Sequence, residues 1–370
     1  MLGKALALCM CATLLVLTGC QQIAAHLPFS EGVIYPSITP KAESPPMPPV
    51  AIEWRFEGAK HRIEIPVDSA VYHGAREAQK SAIFVDRDKQ QSDWASGYFR
   101  AFIDDPQQDP LYDGLLSRLR ALRESLGLDD DRYAELIISF AQALEYRTDP
   151  VNLEPKFPIE TVVDMAGDCD DKSLLAAALL AREGYDVALL LFTPERHVAL
   201  GIRGDGESYK SSGYMYVEMT APSLIGFVPE ELVGGQQLTS EPDVIRIGEG
   251  TRAYGSGREV DAIRKTFEVS LAQAATLSEQ AQSSEMALKD REREVADLRR
   301  RMEEFSAEGS VAGFNELVPR HNRLVEEHNA AVHVHNELLD RQRSYVETVK
   351  RIRERQTDRY GLSRGLANDV

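Results

Sequence analysis

Cysteine is scarce in this chain, with four residues in 370, at positions 9, 11, 20 and 169. The first two lie in an apolar run that follows Lys4, ends at Leu17 and is too short to cross a bilayer as a helix, which predicts a signal peptide over residues 1–19. Its removal leaves Cys20 and Cys169. Because an exported protein in an oxidising compartment rarely keeps a reactive lone thiol, each of these two cysteines needs its own explanation.

The chain also lacks a second long apolar run and a basic stripe. No other apolar stretch approaches ~20 residues, which argues against a membrane-spanning helix after the leader. The formal net charge is −17, and no basic stripe interrupts residues 50–250, which argues against nucleic acid as a partner. A hydrophobic content of 43% is normal for a globular protein with one substantial core.

The residues before Cys20 explain the first thiol. Leu17-Thr18-Gly19-Cys20 resembles the lipobox of bacterial lipoproteins, in which the cysteine becomes the lipid-modified first residue of the mature chain. The resemblance implies attachment to a membrane of the cell envelope through lipid on Cys20. By the same resemblance, glutamine rather than aspartate at position 21, directly after the cysteine, implies sorting to the outer membrane, with the protein facing the periplasm. The alternative is an ordinary secretory signal with an unmodified Cys20.

Residues 20–50 are predicted to be a lipidated N terminus and a proline-rich tether. Their periodicity is weak, and prolines crowd positions 36, 40, 45, 46, 48 and 49. Such a segment is extended, at roughly 3 Å per residue. It is either a spacer between the membrane and a folded domain or a disordered leader.

Alternation and helical periodicity divide the next part of the chain. Apolar and polar residues alternate over residues 51–67 on both sides of Glu57-Gly58, which predicts a β-hairpin within an N-terminal region of residues 51–104. Two helical patterns over residues 111–146 then open a domain predicted at residues 105–250.

Cys169 opens a predicted helix within that domain. Backbone N–H groups at a helix start favour a thiolate, which is the reactive form of cysteine. Asp168, Asp170 and Asp171 raise the thiol pKa instead, so a close imidazolium is needed to lower it. These three carboxylates are an alternative metal site, but they lack the full loop that calcium requires, and a helix cap explains them better. We therefore predict no metal and no cofactor.

A histidine and a carboxylate follow on predicted strands. His197 starts one strand, and Glu218 lies on the next, on the same face as Tyr214, Tyr216 and Thr220. In cysteine hydrolases an imidazole takes the thiol proton and a carboxylate holds the imidazole in its useful tautomer. The order predicts a catalytic triad of Cys169, His197 and Glu218.

Three blocks of sequence, at residues 167–173, 197–199 and 217–222, resemble the transglutaminase-like superfamily, part of the broader papain-like group. The resemblance covers residues 105–235. It implies an α+β fold in which the helix bearing Cys169 packs on an antiparallel sheet. The family more often has aspartate where this chain has Glu218.

The same resemblance implies two classes of function. The first is a cysteine hydrolase, a peptidase or amidase that acts on a protein or peptide through a thioester at Cys169; transfer to an amine would make it a transglutaminase. The second is an inactive scaffold whose coiled coil recruits an envelope partner. The backbone N–H of Cys169 is a natural oxyanion donor, and a group near Tyr146 is a candidate for the second donor.

After Gly257 the composition becomes that of a coiled coil over residues 258–356. Heptad columns run on each side of a break at Gly309 and Gly313, and they comprise Leu288, Val295 and Met302 with Leu298 and Phe305, and then Asn322, Asn329 and Asn336 beside Val325, Val332 and Leu339. They predict two helices of about 45 residues in an antiparallel C-terminal hairpin, followed by a tail at residues 357–370.

Three histidines, His321, His328 and His335, also recur every seven residues. Residues seven apart on a helix are separated by ~10 Å, too far to share one ion, so we interpret them as polar seam residues that fix the helix register. The hairpin is a spacer, an arm for homodimerisation, or a docking surface for a coiled-coil protein partner.

Overall fold

The structure, a computed structural model, describes residues 29–30, 32–85, 94–151, 153–233 and 235–367. The predicted signal peptide and lipidation site at Cys20 lie outside these residues. The chain divides into a first unit, Met1–Asp261 with Gln356–Arg364, and a second unit, Ala262–Arg355 with Gly365–Val370. The α+β class and the long C-terminal helical hairpin are confirmed.

The strands are short. They are β1 Phe29–Ser30, β2 Val33–Ile34, β3 Val50–Phe56, β4 Ala59–Ile65, β5 Ile83–Phe84, β6 Glu145–Tyr146, β7 Ala166–Gly167, β8 Val187–Phe192, β9 His197–Ile202, β10 Met215–Val217 and β11 Asp243–Arg246.

The helices differ widely in length. They are α1 Ser69–Glu77, α2 Trp94–Ile103, α3 Asp109–Leu126, α4 Asp130–Gln142, α5 Pro158–Asp164, α6 Cys169–Arg182, α7 Gly257–Ala307, α8 Val311–Glu354 and α9 Arg359–Ala367. None of these described helices combines the length and the apolar character that crossing a membrane requires.

Strands β3 and β4 form the hairpin that the alternating pattern predicted. They pair in register from Val50↔Ile65 to Phe56↔Ala59. The turn lies at Glu57 and Gly58, whose φ angles are 49° and 76°, and glycine adopts that conformation without steric cost. The inward side chains of β3 are almost fully buried because the alternation places one face of the hairpin on the core.

The proline-rich segment packs within the first unit. Its backbone has no helix or strand between residues 35 and 49, as its composition indicates. Ile38 is nevertheless buried, and its N–H donates to Asp105 Oδ2 at 2.7 Å. A buried apolar side chain and a backbone hydrogen bond therefore fix this part of the segment in place.

Helix α6 is the central helix of the first unit. It contacts both α4 and a four-stranded antiparallel sheet of order β10-β9-β8-β11. All residues from Asp171 to Leu180 on α6 are buried. Because this stretch is buried and mostly leucine and alanine, it is covered by layers on more than one face.

The second unit contains the hairpin of α7 and α8, which turns at Gly309 (φ 72°). Gly313 lies inside α8, although the sequence suggested that it belongs to the break. Buried and half-buried positions on α8 alternate at spacings of three and four residues, as in a coiled-coil seam. They include Leu317, His321, Leu324, His328, Ala331, His335 and Leu338, while Asn322, Asn329 and Asn336 are exposed.

Candidate active site

Cys169 is held at the start of α6 by the turn that precedes it. Asp168 and Asp171 form a reciprocal helix cap: Asp171 N–H donates to Asp168 Oδ1 at 3.4 Å, and Asp168 N–H donates to Asp171 Oδ2 at 3.2 Å. Gly167 makes this cap possible, because a Cβ on it would lie 2.6 Å from Asp171 Cβ. The sequence GDCDD thus fixes the cysteine as the first helical residue.

The thiol of Cys169 lies where α6 meets β9. The side chain is half-buried, and its sulfur accepts the backbone N–H groups of Val198 and Asp170. Ser173 Oγ lies 2.6 Å from the Cys169 carbonyl and 3.3 Å from the Val198 carbonyl. The residue next to His197 is therefore hydrogen-bonded to both the thiol and the first turn of the helix.

His197 occupies the first position of β9, as the sequence predicted. It pairs in register with Phe192, and the two rings stack with centroids 6.0 Å apart. The imidazole is 5% exposed. Its Nε2 lies 3.1 Å from the hydroxyl oxygen of Tyr216.

Glu218 lies directly after β10 and is 4% exposed. Its Oε1 accepts the backbone N–H of Thr220 at 2.7 Å and the Thr220 hydroxyl at 2.6 Å. Its Oε2 accepts the Tyr216 hydroxyl at 2.6 Å. The distance from Oε2 to His197 Nε2 is 3.7 Å, which is too long for a hydrogen bond.

Tyr216 therefore stands between the predicted histidine and the predicted acid. Because its hydroxyl hydrogen goes to Glu218, its oxygen accepts from Nε2–H of His197, and Nδ1 is left as the proton-accepting nitrogen of that ring. The sequence placed Tyr216 on the same strand face as Glu218 but assigned it no role. The available signal was the separation of two residues along one strand, which points both side chains to one side.

A buried network supports Glu218 from behind. Gln142 Nε2, at the end of α4, donates to the carbonyls of Glu218 at 2.7 Å and Ser223 at 2.9 Å. The ammonium of Lys172 is fully buried and donates to the carbonyls of Gln142 at 3.0 Å and Leu144 at 2.8 Å. Burial lowers the pKa of Lys172 to about 8, against the opposing charge of Glu218.

Burial favours the neutral forms of Cys169 and His197. It raises the pKa of the Cys169 thiol far above its usual range, and the carboxylates of Asp170 and Asp168 raise it further. Burial also lowers the pKa of His197, while Glu218 and Glu195 oppose that change. We expected a close imidazolium to lower the thiol pKa, but a buried imidazole is itself held neutral.

The three carboxylates beside Cys169 lie within 4.8 Å of one another. The cap described above accounts for Asp168 and Asp171, and the Lys156 N–H donates to Asp171 Oδ1 at 2.6 Å. Burial, with the charge of Asp168, raises the pKa of Asp171 to about 7. A cleft of ≈ 390 Å³ opens beside this cap, and its lining includes Arg147, Lys156, Asp168 and Asp171.

Tyr146 lies beside the turn that precedes Cys169. Strand β6 pairs in parallel with β7, which sets Tyr146 beside Gly167. Burial raises the pKa of Tyr146 to about 12, and the charges of Cys169 and Asp168 contribute. Its hydroxyl is therefore protonated at neutral pH and is available as a hydrogen-bond donor.

No protein-family model, curated protein or solved structure matches this chain.

Proposed function

We propose that the protein is a lipid-anchored cysteine hydrolase, a peptidase or amidase with a transglutaminase-like core in residues 105–235. The observation that carries the proposal is the hydrogen-bonded chain from Glu218 through Tyr216 to His197, next to a single half-buried cysteine at a helix start. A buried imidazole with a fixed tautomer beside a thiol is the arrangement that nucleophilic catalysis requires.

The chemistry follows from the tautomer of His197. Nδ1 takes the thiol proton as the sulfur of Cys169 attacks the substrate carbonyl and the C–S bond forms. The same proton then passes to the leaving amine as the C–N bond breaks, which leaves a thioester. Water attacks the thioester with His197 as base, and the acid product leaves as the thiol is restored.

Glu218 acts on His197 through Tyr216. The carboxylate fixes the direction of the Tyr216 hydroxyl, and that oxygen accepts Nε2–H, which favours the productive tautomer. Thr220 occupies the second carboxylate oxygen. Glu218 therefore positions the phenol, and the phenol positions the imidazole.

Two donors are proposed for the oxyanion. The backbone N–H of Cys169 is one, since it lies at the start of α6. The hydroxyl of Tyr146 is proposed as the second, because the β6–β7 pair sets the Tyr146 backbone beside Gly167 and the raised pKa of Tyr146 keeps its hydroxyl protonated. Loss of a single oxyanion donor typically lowers kcat by about 10²-fold or more.

The setting of this hydrolase is the cell envelope. Lipid on Cys20 would attach the chain to the outer membrane, where its substrate is a protein or peptide of the periplasmic side. Intact-mass analysis of the protein from its native host tests the anchor, and an unmodified Cys20 would contradict it.

Alkylation of the single thiol tests the predicted site. The chain starting at residue 21 is treated with iodoacetamide from pH 5 to 9 and followed by mass spectrometry. We expect a slow reaction at pH 7, because the thiol pKa is raised, and a further fall of roughly tenfold or more in His197→Ala, since general-base assistance is worth about 10²-fold or more in catalysis. The alkylation rate of Tyr216→Phe should lie between the rates of the wild type and His197→Ala.

His333→Ala is the matched control, because His333 is exposed on α8 with a side chain 78% accessible. It should react at the wild-type rate. Equal rates in wild type and His197→Ala would remove the imidazole from the proposed mechanism.

A scaffold is the second candidate function, and the raised pKa of the Cys169 thiol favours it, since the thiolate is the reactive form. In this case the domain binds a peptide or envelope component and the coiled coil recruits a partner. Replacement of the host gene by Cys169→Ser separates the two. Loss of function with a folded protein supports the hydrolase, and full function supports the scaffold.

A further inference from the structure

The segment that follows the hairpin is built into the first unit. Arg359 is 4% exposed, its Nε donates to Glu135 Oε1 at 2.5 Å, and its Nη1 contacts Glu259. The Thr357 carbonyl accepts the backbone N–H of Glu57 at 3.0 Å. Residues 356–364, which the sequence assigned largely to a tail, are thus fixed to α4, to the start of α7 and to the turn between β3 and β4.

This C-terminal segment is also hydrogen-bonded to the loop after Glu218. Gln356 Oε1 accepts the backbone N–H of Leu224 at 3.3 Å. The preceding residue, Ser223, is held by the Gln142 side chain at both its carbonyl and its N–H. Gln142 in turn holds the Glu218 carbonyl at 2.7 Å.

The Gln142 contact matters because β10 ends at Val217. The carbonyl of Glu218 accepts from a side chain on α4 instead of from a neighbouring strand. Both amide hydrogens of Gln142 are used in this way, and its Oε1 accepts from Ser223 at 3.3 Å. The position of Glu218 therefore depends on Gln142 and on the loop that Gln142 shares with Gln356.

We propose that Gln142 and the C-terminal segment Gln356–Arg364 are positioning elements of the Cys169–His197–Glu218 site. The inference rests on the proposed function. Gln142 holds the backbone of Glu218, Gln356 holds the adjoining loop, and Arg359 anchors the segment that carries Gln356. The C-terminal segment is thus tied to the loop that follows the acid orienting Tyr216 and His197.

The test uses the chain from residue 21 with Gln142→Met and Gln356→Ala. Methionine keeps the length of glutamine but cannot donate to the carbonyls of Glu218 and Ser223. Hydrogen–deuterium exchange should rise about tenfold at residues 218–225 in Gln142→Met and less in Gln356→Ala. Gln280→Ala, exposed on α7, is the control and should leave the exchange unchanged.

Iodoacetamide alkylation of Cys169 is the second measurement. Both variants should lose up to about tenfold in rate while the thermal unfolding of Gln356→Ala stays close to wild type, since a shift of about 1 Å in a catalytic group can cost up to about 10²-fold. Gln142→Asn, which keeps the donors on a shorter side chain, should recover part of the rate if a loosened contact is the cause.

The two measurements separate the inference from the proposed function. Unchanged exchange at residues 218–225 in both variants would overturn the positioning role. A second outcome is increased exchange in these variants together with alkylation rates that equal the wild-type rate in both of them and in His197→Ala. That outcome would support the coupling between the C-terminal segment and Glu218 but would overturn the proposed triad.

Discussion

The polar side chains around Glu218 and those on the α8 seam are buried in different ways. Around Glu218 in the first unit, each buried polar side chain has its own partners: Gln142 bonds two carbonyls, Lys172 bonds two more, and Thr220 holds the carboxylate. In the second unit, His328 and His335 have buried Nδ1 atoms with no hydrogen-bond partner among the described residues. The surroundings of Glu218 depend on individual contacts, and the seam depends on a repeat.

This difference teaches where sequence changes should matter. Leaving a buried donor or acceptor without its partner costs about 1–3 kcal/mol, so the network around Glu218 is sensitive at single positions. A seam that repeats every seven residues spreads its stability over many similar contacts. Polar residues in such a seam generally set register at a cost in stability.

Lys172→Met should have the largest effect. It leaves the carbonyls of Gln142 and Leu144 without their donor, and we expect a loss of about 3 kcal/mol in the free energy of unfolding at pH 7. Urea unfolding measures it. Lys60→Met, at an exposed position on β4, should stay within about 0.5 kcal/mol of wild type.

The pH dependence gives Lys172 a second signature. The folded pKa of Lys172, about 8, lies below the ordinary lysine value of 10.5, so the unfolded chain binds more protons between these values. Stability linked to this group therefore rises with pH across that window. Lys172→Met should lack this rise, and an identical pH slope in both proteins would contradict a buried, depressed lysine.

Gly167→Ala should have the second-largest effect on stability. The new Cβ would lie 2.6 Å from Asp171 Cβ, so the helix start must shift, at a cost of about 2 kcal/mol. Gly114→Ala is the matched control inside α3, where the new Cβ meets only Ile65, at 3.8 Å. This variant should gain up to about 1 kcal/mol in the free energy of unfolding. Thermal unfolding compares the two, and equal behaviour would remove the close packing at Gly167.

His328→Leu should have the smallest effect and the opposite sign. It removes a buried Nδ1 without a partner, so we expect the hairpin to gain about 1 kcal/mol. His333→Leu, on the exposed face of the same helix, should change little. Circular dichroism at 222 nm during urea unfolding follows the helices, and a loss of stability in His328→Leu would show that the imidazole is satisfied in the seam.

Local patterns predicted what local contacts determine. Alternation placed the β3–β4 hairpin, and the acidic residues beside Cys169 placed the start of α6. The heptad pattern predicted where the seam lies. Two columns one residue apart fit that pattern, and in the structure the histidine column is half-buried while the asparagine column is exposed. These features depend on residues close together in the chain.

Long-range contacts could not be predicted in this way. Arg359 pairs with Glu135 from 224 residues away, and neither position carries a local signal for the other. The same holds for Tyr216, since strand periodicity puts it on the face of Glu218 but not between Glu218 and His197. The direction of the Cys169 pKa shift also depends on burial that only tertiary packing creates.

The interrupted first unit also constrains synthesis. Ribosomes make the chain from the N terminus, so Glu135 is made long before its partner Arg359. The whole hairpin is translated after residue 261 and before residue 356. Burial raises the pKa of Glu135 to about 7, and Arg359 opposes that rise. A nascent chain that stops at residue 261 lacks this cation, so the first unit is completed only after the hairpin has been made.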